Sequence, residues 1–153
     1  MKLNISGVFT TAAKEVLLHQ FNCDAEIGKS KMKNISQTVE DITLVLEVTG
    51  KIRGQVIYMM DKRFALEFAS MMVGIPIIDI DELSMSAISE IGNIITGSAI
   101  TKLSESGYYC ETTIPNFIMG KDEPLDTIDS IGVTIPVTTP IGSLTIALTL
   151  QEY

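Results

Sequence analysis

Glu90 and Asn93 stand three residues apart in the stretch 89-SEIGNIITGS-98. On a helix that spacing makes them neighbours on one face. A carboxylate there can pair with a lysine, and a carboxamide can accept a hydrogen bond from a water and hold it in line. The kit is limited, because no nucleophile stands with a base beside it. It suits a site that positions water for attack on a bond that is already reactive. Orientation alone contributes several kcal/mol to such a step, and a glutamine plays this water-positioning part in some phosphoryl hydrolases.

The same stretch is locally a poor helix, since it holds Gly92, Asn93 and Gly97. A glycine inside a helix costs about 1 kcal/mol relative to alanine. On a helical wheel over residues 84 to 104, Ala87, Ile91, Ile94, Ile95, Ser98 and Ala99 form the expected core arc. Ser86, Glu90, Asn93, Gly97 and Thr101 form an opposite arc that is polar or bare. A solvated face is the ordinary reading of a surface Glu and Asn. A face shaped only by solubility, however, fills with Glu, Lys, Ala and Gln rather than Asn and Gly. A bare Gly97 fits close approach of another molecule. Gly92 lies nearer the inner arc and reads as a close-packing position.

The elements around this helix follow from periodicity. Residues 8 to 21 carry Val8, Ala12, Val16, Leu17 and Phe21 at helical spacing. Lys29 to Ser36 is polar, a strand edge or a loop. The runs 42-ITLVLEVTG-50 and 54-GQVIYMM-60 form a hairpin, with Ile42, Leu44, Leu46 and Val48 on one face. Asp61 caps a helix over 62 to 73 that turns Phe64, Phe68, Met71 and Met72 inward and stops at Gly74. Asp81 or Ser84 starts the long helix, which runs to Ser104 or Glu105 and ends at Gly107. Strands are expected at 108 to 118, 131 to 138 and 143 to 151; in the last, Leu144, Ile146, Leu148 and Leu150 alternate with Thr145, Ala147 and Thr149. The acidic stretch 120-GKDEPLDTIDS-130 reads as a surface loop. The order gives an α+β fold, two halves of similar plan with long helices on one face of an antiparallel sheet.

Composition narrows the function. A chain of 153 residues with 46% hydrophobic content is expected to be one domain, 1–153. The net charge is −8, with no basic stripe, which argues against nucleic acid and an anionic membrane surface. The longest nearly apolar run, 71-MMVGIPII-78, is far below a membrane span, and the N-terminus makes a poor signal peptide. Cys23 and Cys110 read as reduced thiols of a cytoplasmic protein. Gly92 to Gly97 has P-loop spacing, but Ser98 stands where lysine is required and the stretch is helical, so nucleotide binding is rejected. His19 with Cys23 lacks further metal ligands and reads as structural; no metal site is expected. The pairs 59-MM-60 and 71-MM-72 read as core.

Taken together, 86-SAISEIGN-93 resembles the Ser/Asp-x-x-x-Glu-x-x-Asn motif of the CheC/CheX family of chemotaxis phosphatases, with Pro115 in 114-IPNF-117 as the accompanying proline. The stretches 92-GNIITGSA-99, 106-SGYYCETTIP-115 and 53-RGQVIYMMDKRFALEFASMMVG-74 are similar to the family as well. The resemblance implies that Glu90 pairs with a lysine of a phosphorylated CheY-type response regulator and that Asn93 orients the water attacking its aspartyl-phosphate. It implies that Ser86, Gly97 and Pro115 touch that partner, and that Mg²⁺ belongs to the regulator rather than to this chain. In 11-TAAKEVLL-18, Glu15 stands at the motif's Glu position, but Leu18 replaces its Asn. That departure resembles single-site, CheX-like members, for which a homodimer is expected. The alternative is a non-catalytic regulator-binding module of the same fold, like the flagellar-switch relatives.

Overall fold

The computed structural model describes residues 3–38, 40–120 and 131–153. Helix α1 (Ile5–Phe21) starts three residues before the expected position, because the Asn4 side chain accepts from the Gly7 N–H at 3.0 Å and caps it there. It ends at Asn22, whose φ of 53° is left-handed. There follow β1 (Glu26–Ile27), β2 (Lys31–Asn34), a 3-10 turn (Ile35–Thr38) and the hairpin β3 (Ile42–Gly50) and β4 (Ile52–Met60). Helices α2 (Lys62–Val73) and α3 (Glu82–Glu105) come next, then β5 (Cys110–Thr112), β6 (Asn116–Met119), β7 (Ile131–Thr139), β8 (Gly142–Leu148) and β9 (Gln151–Glu152). The expected acidic loop lies, from residue 121 to 130, outside the described residues.

The strands form an antiparallel sheet in the order β1-β7-β8-β4-β3-β5, with β2 also on β7, β6 also on β3 and β9 on β4. Each half of the chain runs helix, edge strand, hairpin. Each gives its edge to the other half: β1 and β2 pair with β7, while β5 and β6 pair with β3. The two hairpins meet at β4 and β8 in the centre. The expected repeat is therefore present, and its halves interlock.

The single strand expected at 108 to 118 is two. Thr113 leaves the ladder to bond Glu47, with its N–H on the Glu47 carbonyl at 3.0 Å and its hydroxyl accepting from the Glu47 N–H at 3.0 Å. Pro115 follows, and it has no N–H to give a ladder. Two further expectations are corrected. Met71 is 41% exposed, since the last turn of α2 runs beyond the surface that covers Phe64, Ala65, Phe68 and Ala69. Ala147 is buried, because the face of the sheet away from the helices carries a small core of its own, in which Ile35, Val45, Ile57, Met59 and Ala147 pack together.

The main core lies between the sheet and the helices, and α3 is seated in it by specific devices. At its start the Asp81 carboxylate accepts from the Ser84 N–H at 2.8 Å, and the Ser84 hydroxyl accepts from the Asp81 N–H at 2.7 Å. This reciprocal pair satisfies two backbone donors that the first turn would leave open. At its end Gly107, with φ of 90°, lets the Tyr108 N–H return to the Leu103 carbonyl at 2.8 Å. In the middle Gly92 lies against β3 and β4. A Cβ there would meet Leu44 and Leu46 at 3.3 Å and Tyr58 at 3.4 Å. One turn on, the buried Thr96 hydroxyl is hydrogen-bonded to the Tyr58 phenol at 2.7 Å.

The buried face of α3 is consequently Ser84, Ala87, Ile88, Ile91, Gly92, Ile95, Thr96, Ala99 and Leu103. Ile94 and Ser98, expected in the core, are half-buried, because the side chains against the sheet are centred on Gly92 and Thr96 instead.

The two helical glycines should therefore respond oppositely. A Cβ at Gly97 meets nothing within 4 Å. Gly97→Ala is expected to stabilise the fold by up to about 1 kcal/mol, the helix-propensity difference. Gly92→Leu is expected to destabilise it by about 1–3 kcal/mol through overpacking. Urea unfolding midpoints decide, and equal effects at the two positions would contradict the seating. Tyr58→Phe leaves the Thr96 hydroxyl buried without its partner and should cost about 1–3 kcal/mol, whereas adding Thr96→Val should recover most of that loss.

Candidate functional site

With its inner face fixed, α3 turns a second stripe outward. At 100° per residue, Ser86, Glu90, Asn93, Gly97 and Thr101 fall within an arc of about 80°. Ser86, Gly97 and Thr101 are exposed, while Glu90 and Asn93 are half-buried. Among the described residues, neither the Glu90 carboxylate nor the Asn93 carboxamide has a hydrogen-bond or ion-pair partner. Both are thus held by a rigid helix with their polar ends unspent. Gly97, one turn beyond Asn93, leaves open space above the backbone. Its carbonyl accepts from the Thr101 hydroxyl at 3.0 Å.

Four of the five site residues expected from sequence are thereby brought onto one helix face: Ser86, Glu90, Asn93 and Gly97. Pro115 is elsewhere, half-buried in the link between β5 and β6. Those two edge strands lie against α3, so Pro115 belongs to the flank of the helix rather than to its stripe.

The site is an outward ridge rather than a cleft. The described cavities are lined by other residues, such as Lys29, Lys31 and Lys33 beside β7, or Val8, Lys102 and Tyr108 between α1 and the end of α3. A ridge that offers one carboxylate and one carboxamide is fitted to enter a site on another macromolecule. Enclosing a small substrate would take a concave pocket.

The corresponding position on α1 is spent differently. Glu15 forms an ion pair with Lys102 at 2.9 Å, which ties α1 to α3. Leu18, 42% exposed, presents an apolar side chain where α3 presents Asn93. The two helices have similar places in the two halves of the fold, and only α3 carries the carboxylate–carboxamide pair.

The electrostatics around the helix are structural. Asp81 has its carboxyl held below the usual range, chiefly by the Ser84 N–H, which keeps the cap ionised. Burial pushes the Tyr58 phenol far above its ordinary value, so it stays neutral and bonded to Thr96. Cys23 is buried and Cys110 half-buried, and both are free thiols raised by burial. His19, expected to be structural, is exposed in the last turn of α1. Among the described residues no three His, Cys, Asp or Glu side chains come together as a metal site, and no helix is long and apolar enough to cross a membrane.

One residue of the stripe escaped the sequence reading. Leu83 is 52% exposed, three residues before Ser86 and seven before Glu90. The signal was its spacing, which places it on the same face, but as a leucine near a helix start it reads as core.

Comparison with known proteins agrees with the geometry. Residues 42–138 match the family model for the chemotaxis phosphatase CheX. The CheY-P phosphatase CheX of Thermotoga maritima is 28% identical over 123 residues, which cover 80% of this chain and 79% of that protein. The crystal structure of a chemotaxis protein CheX from Desulfovibrio desulfuricans superposes with a TM-score of 0.82 at 27% identity, covering 99% of this chain and 100% of the other. A chain from the CheX–CheY–BeF3–Mg²⁺ complex of Borrelia burgdorferi does so with a TM-score of 0.82 at 25% identity and the same coverage. The interlocked antiparallel sheet, the long helix seated on it and the match over most of the chain lead to one assignment: the protein belongs to the chemotaxis phosphatase CheX family.

Proposed function

We propose that the protein dephosphorylates the aspartyl-phosphate of a CheY-type response regulator by inserting α3 against the regulator's phosphorylated site. The observation that carries this reading is the unpartnered Glu90 and Asn93 pair on the outward stripe of a helix fixed at both ends. The family supports it, as do the CheY-P phosphatase relative and the CheX–CheY complex.

In this mechanism the Asn93 carboxamide oxygen accepts a hydrogen bond from the attacking water and directs its lone pair along the line of the scissile P–O bond. The water adds to phosphorus as the aspartyl oxygen leaves, giving inorganic phosphate and a free carboxylate. Glu90 pairs with a lysine of the regulator and fixes the angle at which α3 enters. Gly97 lets the partner's backbone come close, and Ser86 and Pro115 border the contact. The Mg²⁺ that screens the phosphoryl group arrives with the regulator. The working unit in this reading is a homodimer, with one such ridge on each chain, and its mass in solution checks that point.

Phosphate release from a phosphorylated CheY-type regulator tests the reading. Asn93→Ala should lower kcat about 100-fold or more, the scale for removing a positioned polar group from a transition state, with little change in stability. Glu90→Ala should chiefly raise KM, by about tenfold. Unchanged hydrolysis with Asn93→Ala would exclude the mechanism. Binding without any acceleration by the wild type would make the protein a regulator-binding module.

A further inference from the structure

The stripe on α3 does not begin at Ser86. Leu83 lies within the same 80° arc as Glu90 and Asn93 and is 52% exposed. Just before it, the connector from α2 to α3 reads 74-GIPIIDI-80. Ile77 and Ile80 pack against the main core, whereas Ile75 is 57% and Ile78 is 88% exposed. The connector is tied on both sides of Ile78. The Ile77 N–H donates to the Ser70 hydroxyl at 2.9 Å, and Asp79 is paired with Lys62 at 3.3 Å. The Ser84 hydroxyl, in the first turn of α3, donates to the Asp81 carbonyl at 3.0 Å and lies 3.4 Å from the Asp79 carbonyl, so the residue that follows Ile78 is held at that turn.

We infer that Leu83 and Ile78 form the apolar anchor on which the phosphorylated receiver domain docks, at the N-terminal end of the ridge that carries Glu90 and Asn93. The inference rests on the phosphatase reading and adds where its binding energy comes from. Leu83 is ten residues from Asn93, about 15 Å along the helix axis at 1.5 Å per residue. A standard interface covers about 800 Å² on each partner, a disc of about 16 Å radius. A footprint of that size centred on the stripe midway between Leu83 and Asn93 takes in both, each about 7–8 Å from its centre. Beyond Asn93 the helix stripe itself offers Gly97 and Thr101, which give a partner no apolar side chain to cover. The near end offers two large aliphatic side chains held outward. Interfaces draw most of their affinity from a few such buried anchors, while the polar group at the reacting centre contributes to the chemical step. Leu83 and Ile78 are thus binding residues, and their loss is a KM effect.

The test uses the full chain and a CheY-type receiver activated with BeF3 and Mg²⁺ for binding, or phosphorylated for turnover. Leu83→Ser and Ile78→Ser should each raise Kd and KM about tenfold with kcat within twofold of wild type, at unchanged helical content. Met32→Ser serves as the control, because Met32 is 66% exposed on the edge strand β2, away from α3. It should leave both constants unchanged. Unaltered Kd and KM in both anchor variants would overturn the inference. So would an equal rise with Met32→Ser, or a change of oligomeric mass in Leu83→Ser that marks the patch as a contact between two copies. These failures are distinct from failure of the phosphatase reading, which is measured by wild-type acceleration and by Asn93→Ala.

Discussion

The functional geometry depends on how closely α3 lies on the central hairpin. At Gly92 the helix approaches Leu44, Leu46 and Tyr58 so nearly that a single methyl group would press on all three at 3.3–3.4 Å. The Tyr58–Thr96 hydrogen bond, buried one turn further on, then fixes the rotation of the helix about its axis. A buried polar pair of this kind tolerates little slippage, since either group left alone would be desolvated without a partner. Fixing that rotation also fixes where the opposite stripe points. Gly92 and Asn93 are adjacent in sequence, and their roles are two sides of one constraint: the first lets the helix in, and the second is what the helix then carries outward.

Around this contact the fold supplies rigidity rather than a cavity. The exchanged edge strands tie each half of the chain to the hairpin of the other, so the sheet under α3 is one body joined through β4 and β8. The capping pair at Asp81 and Ser84 and the left-handed turn at Gly107 close the two ends of the helix. The Glu15–Lys102 ion pair binds its far end to α1. The proposed mechanism requires this, because a water-orienting amide acts only if its position is set before the partner arrives.

Most of this was legible in the sequence where local chemistry and periodicity agree. The hairpin, α2 with its Asp61 cap, and α3 with Asp81 and Gly107 at its ends all stand as their residues suggest. Glu90 and Asn93 could be placed on one face from spacing alone. What escaped depends on long-range contacts. The break at Thr113 and Pro115 follows from a bond to Glu47, far away in the chain. The burial of Ala147 and the exposure of Met71 depend on which neighbours cover them. The exchange of edge strands leaves no local trace. Leu83 was missed because an exposed leucine and a core leucine look alike in a sequence.

The central claim is that α3, with Asn93 at its working point, enters the phosphorylated site of a receiver domain. A structure of this protein bound to a CheY-type regulator carrying BeF3 and Mg²⁺ tests it most directly. The account predicts the Asn93 carboxamide as the group of this chain nearest the in-line water position, with Glu90 on a regulator lysine. A complex in which another face covers the regulator and Asn93 stays in solvent would contradict it.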